Sequence, residues 1–342
     1  MKLAVAKVMP KPQERERPFL VPKSRLRWST SLENATLLHD WPIIHTKPIA
    51  GPRIAFSRFT VPAGTEQIWS MNPQDGGDQR NLSNSSQQDE TPAISRINGT
   101  IVFSRGTATQ SGYAPGLYKM DSGGSAQTPI TTPPSNSWDT QPAWSHDGKK
   151  IAFSRFYQIW TANADGTNPQ PLMDYTQFPY VLDHAPTWNP NTGQEIAFWR
   201  EHQGTSSIMR VKIAPGSMPV PVTQPGPNLF DGWPSWSPDG ARIAFSRNDG
   251  TQSAIYTISF DGQGGAQNVS NPDFAHGVRD MIPCWSPDQN QIAFSRTQYV
   301  SWDIYITNSD GSGGLLNLSK APGSPGAQGT HNDFYANWVK YP

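Results

Sequence analysis

One pentapeptide, Ile-Ala-Phe-Ser-Arg with small variations, occurs six times in this chain and constrains its fold more than any other feature. Successive copies are separated by 45 to 50 residues. A repeat of that length is typical of the blades of a β-propeller, in which each blade is one small sheet. The copies begin at Ile54, Ile101, Ile151, Ile196, Ile243 and Ile292.

A second signature precedes five of the pentapeptides and predicts a strand, a tight turn and another strand. It is clearest in Asp231–Gly240, where Trp236 and then Asp239-Gly240 come just before the pentapeptide. Asp-Gly supplies the positive φ that a two-residue hairpin needs. After each pentapeptide comes a segment such as Ile255-Tyr256, another turn and a short polar run. Four strands per repeat follow, so the sequence predicts an all-β, six-bladed β-propeller over residues 51–342.

The first repeat lacks the strand with the Trp signature, and the missing piece stands at the end of the chain. No Trp precedes Ile54 at the usual spacing, whereas Asp333 and Trp338 have that spacing with no pentapeptide after them. We therefore expect the C-terminal strand to complete the first blade. This closure leaves the ring without an open sheet edge.

Residues 1–50 are predicted to form a separate, Pro-rich arm and lead-in segment without strand or helix periodicity. Residues 1–27 alone hold eight basic and two acidic side chains, so they carry +6 and the remainder of this neutral chain carries −6. A segment of this composition does not build its own core. We expect it to dock on a protein partner or a neighbouring subunit.

The composition as a whole argues against several classes of protein. Acidic and basic residues are equal in number, so no overall charge field indicates a nucleic-acid binder. The single cysteine, Cys284, permits no intramolecular disulfide. We expect no cofactor and no membrane span. The start of the chain does not resemble a signal peptide, so a cytoplasmic location is expected if the numbering is the full gene product, and a periplasmic or exported one otherwise.

These repeats resemble the WD40-like repeat of the TolB family, whose pattern is Asp-x-x-Pro-x-Trp-Ser-Pro-Asp-Gly, then Ile-Ala-Phe, then Ile-Tyr and Asp-Gly. The resemblance covers residues 54–342 and implies a propeller that binds protein partners. Related propellers include accessory domains of serine peptidases and metal-dependent oligogalacturonate lyases. The sequence departs from TolB because it shows no long N-terminal α/β domain and no evident leader, so the periplasmic role does not carry over.

The aspartates that begin the six inner strands are the first candidates for a binding site at one mouth of the central channel. An acidic ring would attract a cation or a basic peptide. The alternative is structural, with each Asp paired to the Arg that ends its pentapeptide, because repeated buried charges are usually paired. Aromatic residues near the strand starts, above all Trp138 and Trp233, are the other candidates. The ring consists of Asp89, Asp139, Asp183, Asp231, Asp280 and Asp333.

Signals for catalysis are weak. His184, His276 and His331 lie near the same strand starts and are the only candidates for a metal site, although scattered polar loop residues explain them as well. No Gly-x-Ser-x-Gly nucleophile elbow is present. The sequence therefore favours a non-catalytic protein–protein interaction module or assembly subunit. A carbohydrate-binding, lectin-like propeller is the alternative, and a metal-dependent polysaccharide lyase is a weaker one.

Overall fold

A computed structural model describes residues 51–60, 64–109, 112–270, 277–298, 301–320 and 331–340. The predicted N-terminal arm and His276 lie outside these residues. The described part of the chain contains 24 strands and one short 3-10 helix, Tyr175–Gln177. Within it, no helix combines the length and the apolar character that crossing a membrane requires.

The strands pair antiparallel in six sets of four, one for each repeat, as the sequence predicts. In each blade the strand with the Asp lies at one edge, the pentapeptide strand is next to it, and a two-residue strand forms the other edge. Blade 1 contains β24 (His331–Lys340), β1 (Pro52–Thr60), β2 (Thr65–Met71) and β3 (Arg80–Asn81); blade 2 contains β4 (Gln88–Ile94), β5 (Ile101–Thr109), β6 (Gly112–Met120) and β7 (Thr128–Pro129).

Blades 3 to 6 repeat the same order, and neighbouring blades 4, 5 and 6 also touch through single parallel bridges. Blade 3 contains β8 (Asp139–Trp144), β9 (Lys150–Arg155), β10 (Gln158–Asn163) and β11 (Gln170–Pro171); blade 4 contains β12 (Leu182–Trp188), β13 (Glu195–His202), β14 (Thr205–Lys212) and β15 (Val220–Pro221). Blade 5 contains β16 (Phe230–Trp236), β17 (Arg242–Asn248), β18 (Ser253–Ser259) and β19 (Gln267–Asn268); blade 6 contains β20 (Arg279–Trp285), β21 (Gln291–Gln298), β22 (Ser301–Asn308) and β23 (Leu316–Asn317).

Ring closure by the C-terminal strand is confirmed. β24 pairs antiparallel with β1, so that Trp338 lies opposite Ile54 and Asp333 lies opposite Arg58. The Trp338 side chain is buried in a cluster that joins blade 1 to Ile304 of blade 6. The last strand of the chain therefore holds the first and last blades together.

The Ile and Phe of every pentapeptide form the core between blades. Phe153 and Ile151 are fully buried against Val102 and Leu117 of the preceding blade. Because side chains alternate along a strand, the Ala or Val between the Ile and the Phe lies on the opposite face, where the next blade packs. The pentapeptide is thus the minimum sequence that fills both faces of a blade.

Each inner strand carries a β-bulge two residues after its Asp, which the sequence analysis did not predict. The residue there has a positive φ in all six blades, although β-branched side chains such as Thr91 and Ile282 rarely adopt it. The bulge turns its N–H towards the neighbouring blade, where Ile282 donates to Ser246 Oγ at 3.0 Å and Thr91 donates to Ser57 Oγ at 3.1 Å. The pentapeptide serines Ser246 and Ser57 are therefore the acceptors for these two bulges.

We predict that Trp338→Ala lowers the free energy of unfolding by about 3–5 kcal/mol, because it opens a cavity in the cluster that closes the ring. Deletion of residues 331–342 should destabilise the domain further. Chemical denaturation measures both. Tyr180→Ala is the control, since its ring is 87% exposed and its loss should change stability by less than about 0.5 kcal/mol. A Trp338→Ala protein as stable as this control would contradict the closure by β24.

Candidate binding site at the channel mouth

The six aspartates of the predicted ring are fully buried, and each accepts two hydrogen bonds from the arginine of the pentapeptide in its own blade. Asp333 Oδ1 accepts from Arg58 Nε at 2.6 Å, and Asp333 Oδ2 accepts from Arg58 Nη2 at 2.7 Å. The five other pairs have the same two-pronged geometry and comparable distances: Asp89–Arg105, Asp139–Arg155, Asp183–Arg200, Asp231–Arg247 and Asp280–Arg296.

Each of these guanidinium groups also lies between two aromatic rings. Arg155 Cζ is 5.2 Å from the centroid of Phe153 and 4.8 Å from that of Trp160. The faces of such rings attract cations. Blade 4 has Met209 where the other blades have Tyr or Trp, and there Phe178 takes the place of the second ring, at 4.8 Å from Arg200. Asp, Phe, Arg and the third-strand aromatic residue are therefore one packing unit.

This arrangement favours the structural alternative for the aspartates. Their side chains have no exposed surface. Burial raises the pKa of Asp183 and Asp280, and the hydrogen bonds and charge of the paired arginines oppose that rise. The predicted binding role of the six aspartates stays a prediction, and the oxygens that would meet a ligand already accept hydrogen bonds from arginine.

We predict that Arg296→Met lowers the free energy of unfolding by about 3–5 kcal/mol, because it leaves Asp280 charged and buried without its partner. The double variant Asp280→Leu/Arg296→Met should recover part of that loss. The surface pair Arg80–Asp78, with an N–O distance of 2.7 Å, is the matched control, and Arg80→Met should cost about 1 kcal/mol or less. Equal losses for Arg296→Met and Arg80→Met would show that the buried pairs do not have this structural role.

A continuous series of aromatic side chains crosses the same end of the channel and is here named the aromatic row. Its tightest contact is the stacking of His184 on Trp199, with ring centroids 4.2 Å apart. Trp233 and Tyr335 meet edge to face at 5.4 Å, between blades 5 and 1. The row consists, in order of contact, of Trp138, Tyr157, His184, Trp199, Trp233, Tyr335, Phe334 and Trp302.

Both predicted aromatic residues belong to this row, but they differ in exposure. Trp233 is buried within it, whereas Trp138 is half-buried at its outer end. Phe156 packs on Trp138 at 5.1 Å and leaves 52% of its own surface exposed. Sequence reasoning missed Trp199 and Phe156. The signal for Trp199 was present, because it replaces the serine of the pentapeptide in blade 4 alone.

Carboxylates accompany the aromatic row. Burial, together with the charges of Glu90 and Asp333, raises the pKa of Glu66 well above its ordinary value. Burial and the same two glutamates raise the pKa of Tyr335. Glu201 Oε1 lies 3.8 Å from His184 Nε2. This end of the channel therefore presents aromatic faces together with carboxylate groups.

His184 and His331, the two weak metal candidates within the described residues, lie in different blades. His184 stacks in the aromatic row on blade 4, while His331 is buried in blade 1, 3.7 Å from Asp333 Oδ2 and 3.9 Å from Asp303 Oδ1. In the described ranges, no group of three His, Cys, Asp or Glu residues has the geometry to hold a metal ion.

A cavity of about 200 Å³ continues from the bulges towards the opposite end of the inner strands. Trp233 and Tyr335 line it as well as belonging to the aromatic row, so they lie at the boundary between the two. The rest of its wall comes from the prolines and small residues that follow the bulges and from the tryptophans after them. The channel thus has two chemically different halves.

Comparison with known proteins agrees with this architecture. The family described as "TolB beta propeller domain" matches residues 154–321. TolB from Acinetobacter baumannii superposes with a TM-score of 0.65 at 17% identity, over 84% of this chain and 66% of that one. A chain of a nidogen/laminin complex gives a TM-score of 0.62 at 11% identity, over 84% and 98% of the two chains.

Solved enzymes also contain this fold. A puromycin hydrolase mutant gives a TM-score of 0.50 at 11% identity, over 79% of this chain but only 45% of the hydrolase. The chain likewise spans slightly less than two thirds of the length of the A. baumannii TolB. No protein with a curated function matches the sequence. At these identities the structural likeness establishes the fold, and activity and partners are inferred from the site.

Proposed function

We propose that this chain, which belongs to the TolB-like β-propeller family, is a non-catalytic interaction module that docks a protein partner at the aromatic mouth of its channel. The observation that carries the proposal is the outer end of the aromatic row. There Trp138 and Phe156 pack on each other and remain partly exposed. Aromatic side chains anchored in this way are the usual centres of binding energy in protein interfaces.

The acidic groups beside the row define the chemistry of the partner. Burial and the charges of Glu90 and Asp333 raise the pKa of Glu66, and a cation placed beside Glu66 would favour its charged form. Lys or Arg side chains also bind well over aromatic faces. The partner we propose is therefore a basic segment of a protein. The basic N-terminal arm of a neighbouring subunit, whose residues 1–27 carry +6, is one such segment.

The comparisons support a binding role in general terms. TolB from A. baumannii and the chain from the nidogen/laminin complex share the fold, and the latter was solved as a complex of two proteins. The hydrolase that shares the fold extends well beyond the matched region, since this chain covers 45% of it.

A carbohydrate-binding propeller is the second candidate, because the aromatic row would also offer flat faces to sugar rings. The carboxylates of Glu66 and Glu90 beside the row favour a basic protein segment over a neutral sugar. Binding that persists with neutral oligosaccharides and ignores salt would favour the lectin-like alternative, since the attraction of a basic segment weakens with ionic strength.

We predict that Trp138→Ala combined with Phe156→Ala weakens partner binding by roughly tenfold or more, because the two rings form the exposed anchor of the mouth. The partner is first captured from the native source with the full chain. The purified partner is then titrated against each variant by calorimetry. Leu316→Ala, which removes an exposed apolar side chain on the outermost strand of blade 6, should bind as the unaltered protein does. Equal binding by the double variant would place the docking surface elsewhere.

We also predict no turnover of peptide or polysaccharide substrates by the purified chain. The structural reason is that His184 is engaged in stacking and that the arginines accompany every channel aspartate. Product formation is followed by chromatography with and without added divalent metal. Polysaccharide cleavage that is lost with EDTA and with His184→Ala, but kept with the exposed His202→Ala, would overturn the non-catalytic proposal.

A further inference from the structure

The half of the channel that faces away from the aromatic row departs from the repeat at one position. The repeated Ser-Pro-Asp-Gly turn places Pro190, Pro238 and Pro287 just after the inner strands of blades 4, 5 and 6. Blades 2 and 3 have Arg96 and His146 there instead, and both line the cavity of about 200 Å³. Blades 2 and 3 thus contribute basic side chains to the cavity where blades 4, 5 and 6 have proline, and the corresponding residue of blade 1 is Lys340.

The Arg96 guanidinium has no counterion among the residues that the structure describes. Its side chain is half-buried, and among the described residues it makes neither an ion pair nor a hydrogen bond. Burial lowers the pKa of Arg96, and the only charge that opposes this is that of Cys284, on the inner strand of blade 6. Arg96 and Cys284 both line the cavity, and an anion beside the partly buried guanidinium would stabilise its charge.

Cys284 does not supply that anion. Burial raises the pKa of its thiol to about 11, so the thiol is neutral at physiological pH. Its sulfur accepts a hydrogen bond from the backbone N–H of Trp338 at 3.1 Å. Cys284 therefore does not neutralise the charge of Arg96.

Among the described residues that line the cavity there is no Asp or Glu, in contrast to the acidic mouth at the other end. Asp147, which follows His146 in the same turn, is engaged within its own hairpin. Its carboxylate accepts hydrogen bonds from Ser145 Oγ at 2.7 Å and from the N–H of Lys149 at 3.1 Å. The walls offer tryptophan rings and prolines, which suit an apolar body. The volume is below the 300–1,000 Å³ typical of sites for drug-sized ligands, so the occupant is small.

We propose that this cavity is a binding site for a carboxylate attached to a small apolar or aromatic group, with Arg96 as the residue that pairs with the carboxylate. Arginine presents two parallel N–H donors that match a carboxylate. His146, on the adjacent blade 3, also lines the cavity. The ligand is a free small acid or the C-terminal carboxylate of a peptide. The inference does not rest on the proposed function, because Arg96 and the exposed anchor of the aromatic mouth lie at opposite ends of the inner strands.

The test is calorimetric titration of the full chain with benzoate and with its neutral analogue benzamide. Benzoate should bind and benzamide should bind at least tenfold more weakly, since the amide has no charge to pair with Arg96. Arg96→Gln should reduce benzoate affinity roughly tenfold or more. A second arm uses the peptide Gly-Gly-Phe and its C-terminal amide. Preference for the free-acid peptide over benzoate identifies a chain terminus as the source, and the reverse identifies a free acid.

Lys149→Gln is the matched control, because it removes one positive charge from an exposed site outside the cavity. It should leave benzoate affinity unchanged. Thermal unfolding of Arg96→Gln should show a folded protein at least as stable as the unaltered one, since the lost cation had no partner. Equal affinity for benzoate and benzamide, or equal benzoate affinity in Arg96→Gln and the unaltered protein, would overturn the proposal. A failed Trp138→Ala/Phe156→Ala experiment would leave it intact.

Discussion

The paired Asp and Arg in each blade, held between two aromatic rings, is the interaction on which the rest of the structure depends. It ties the inner strand to the pentapeptide strand, as in Asp280 with Arg296, and it places the third strand through the ring above the guanidinium. Apolar packing alone would leave these strands free to slip, since Ile and Phe recur with a period of two. An Asp–Arg pair with two hydrogen bonds forms only when the two strands are aligned in one register, so it fixes the pairing of the strands as well as stabilising the blade.

The fold was predictable because its determinants are local and repeated. The spacing of the pentapeptides gave six blades, and the displaced Trp338 gave the closure that β24 makes with β1. The bulges were not predictable in the same way. Thr91 and Ile282 are residues that avoid positive φ, and a hydrogen bond from the bulge to the neighbouring blade, as from Ile282 to Ser246, helps to offset the strain. That contact joins residues 36 positions apart, beyond the reach of local sequence patterns.

The candidate sites were only partly predictable, and the reason is physical. Residues that recur in every blade, such as the six aspartates, are the ones that the blade itself consumes in packing and hydrogen bonding. Positions at which a blade departs from the repeat are not required for this packing, so they can contribute to a binding site. Trp199 takes the place of the serine found in the five other blades and enters the aromatic row, and Arg96 lies where three of the six blades have proline and lines the cavity. A search for departures from the repeat would have found both, whereas a search for shared residues led to the ion pairs.

These departures also make the two ends of the channel chemically different. Glu66, Glu90 and the aromatic row occupy the end where the inner strands begin, while Arg96 and His146 occupy the end where they stop. Acidic groups lie at one end of this low-dielectric channel and basic groups at the other, so a dipolar ligand aligned along it would be stabilised at both ends. A bound chain segment with a basic side chain at one end and a carboxylate at the other would satisfy both ends in a single orientation. All six inner strands begin at the same end, so the repeat already makes the two ends of the channel different, and residues that break the repeat, such as Trp199 and Arg96, add a chemical contrast between them.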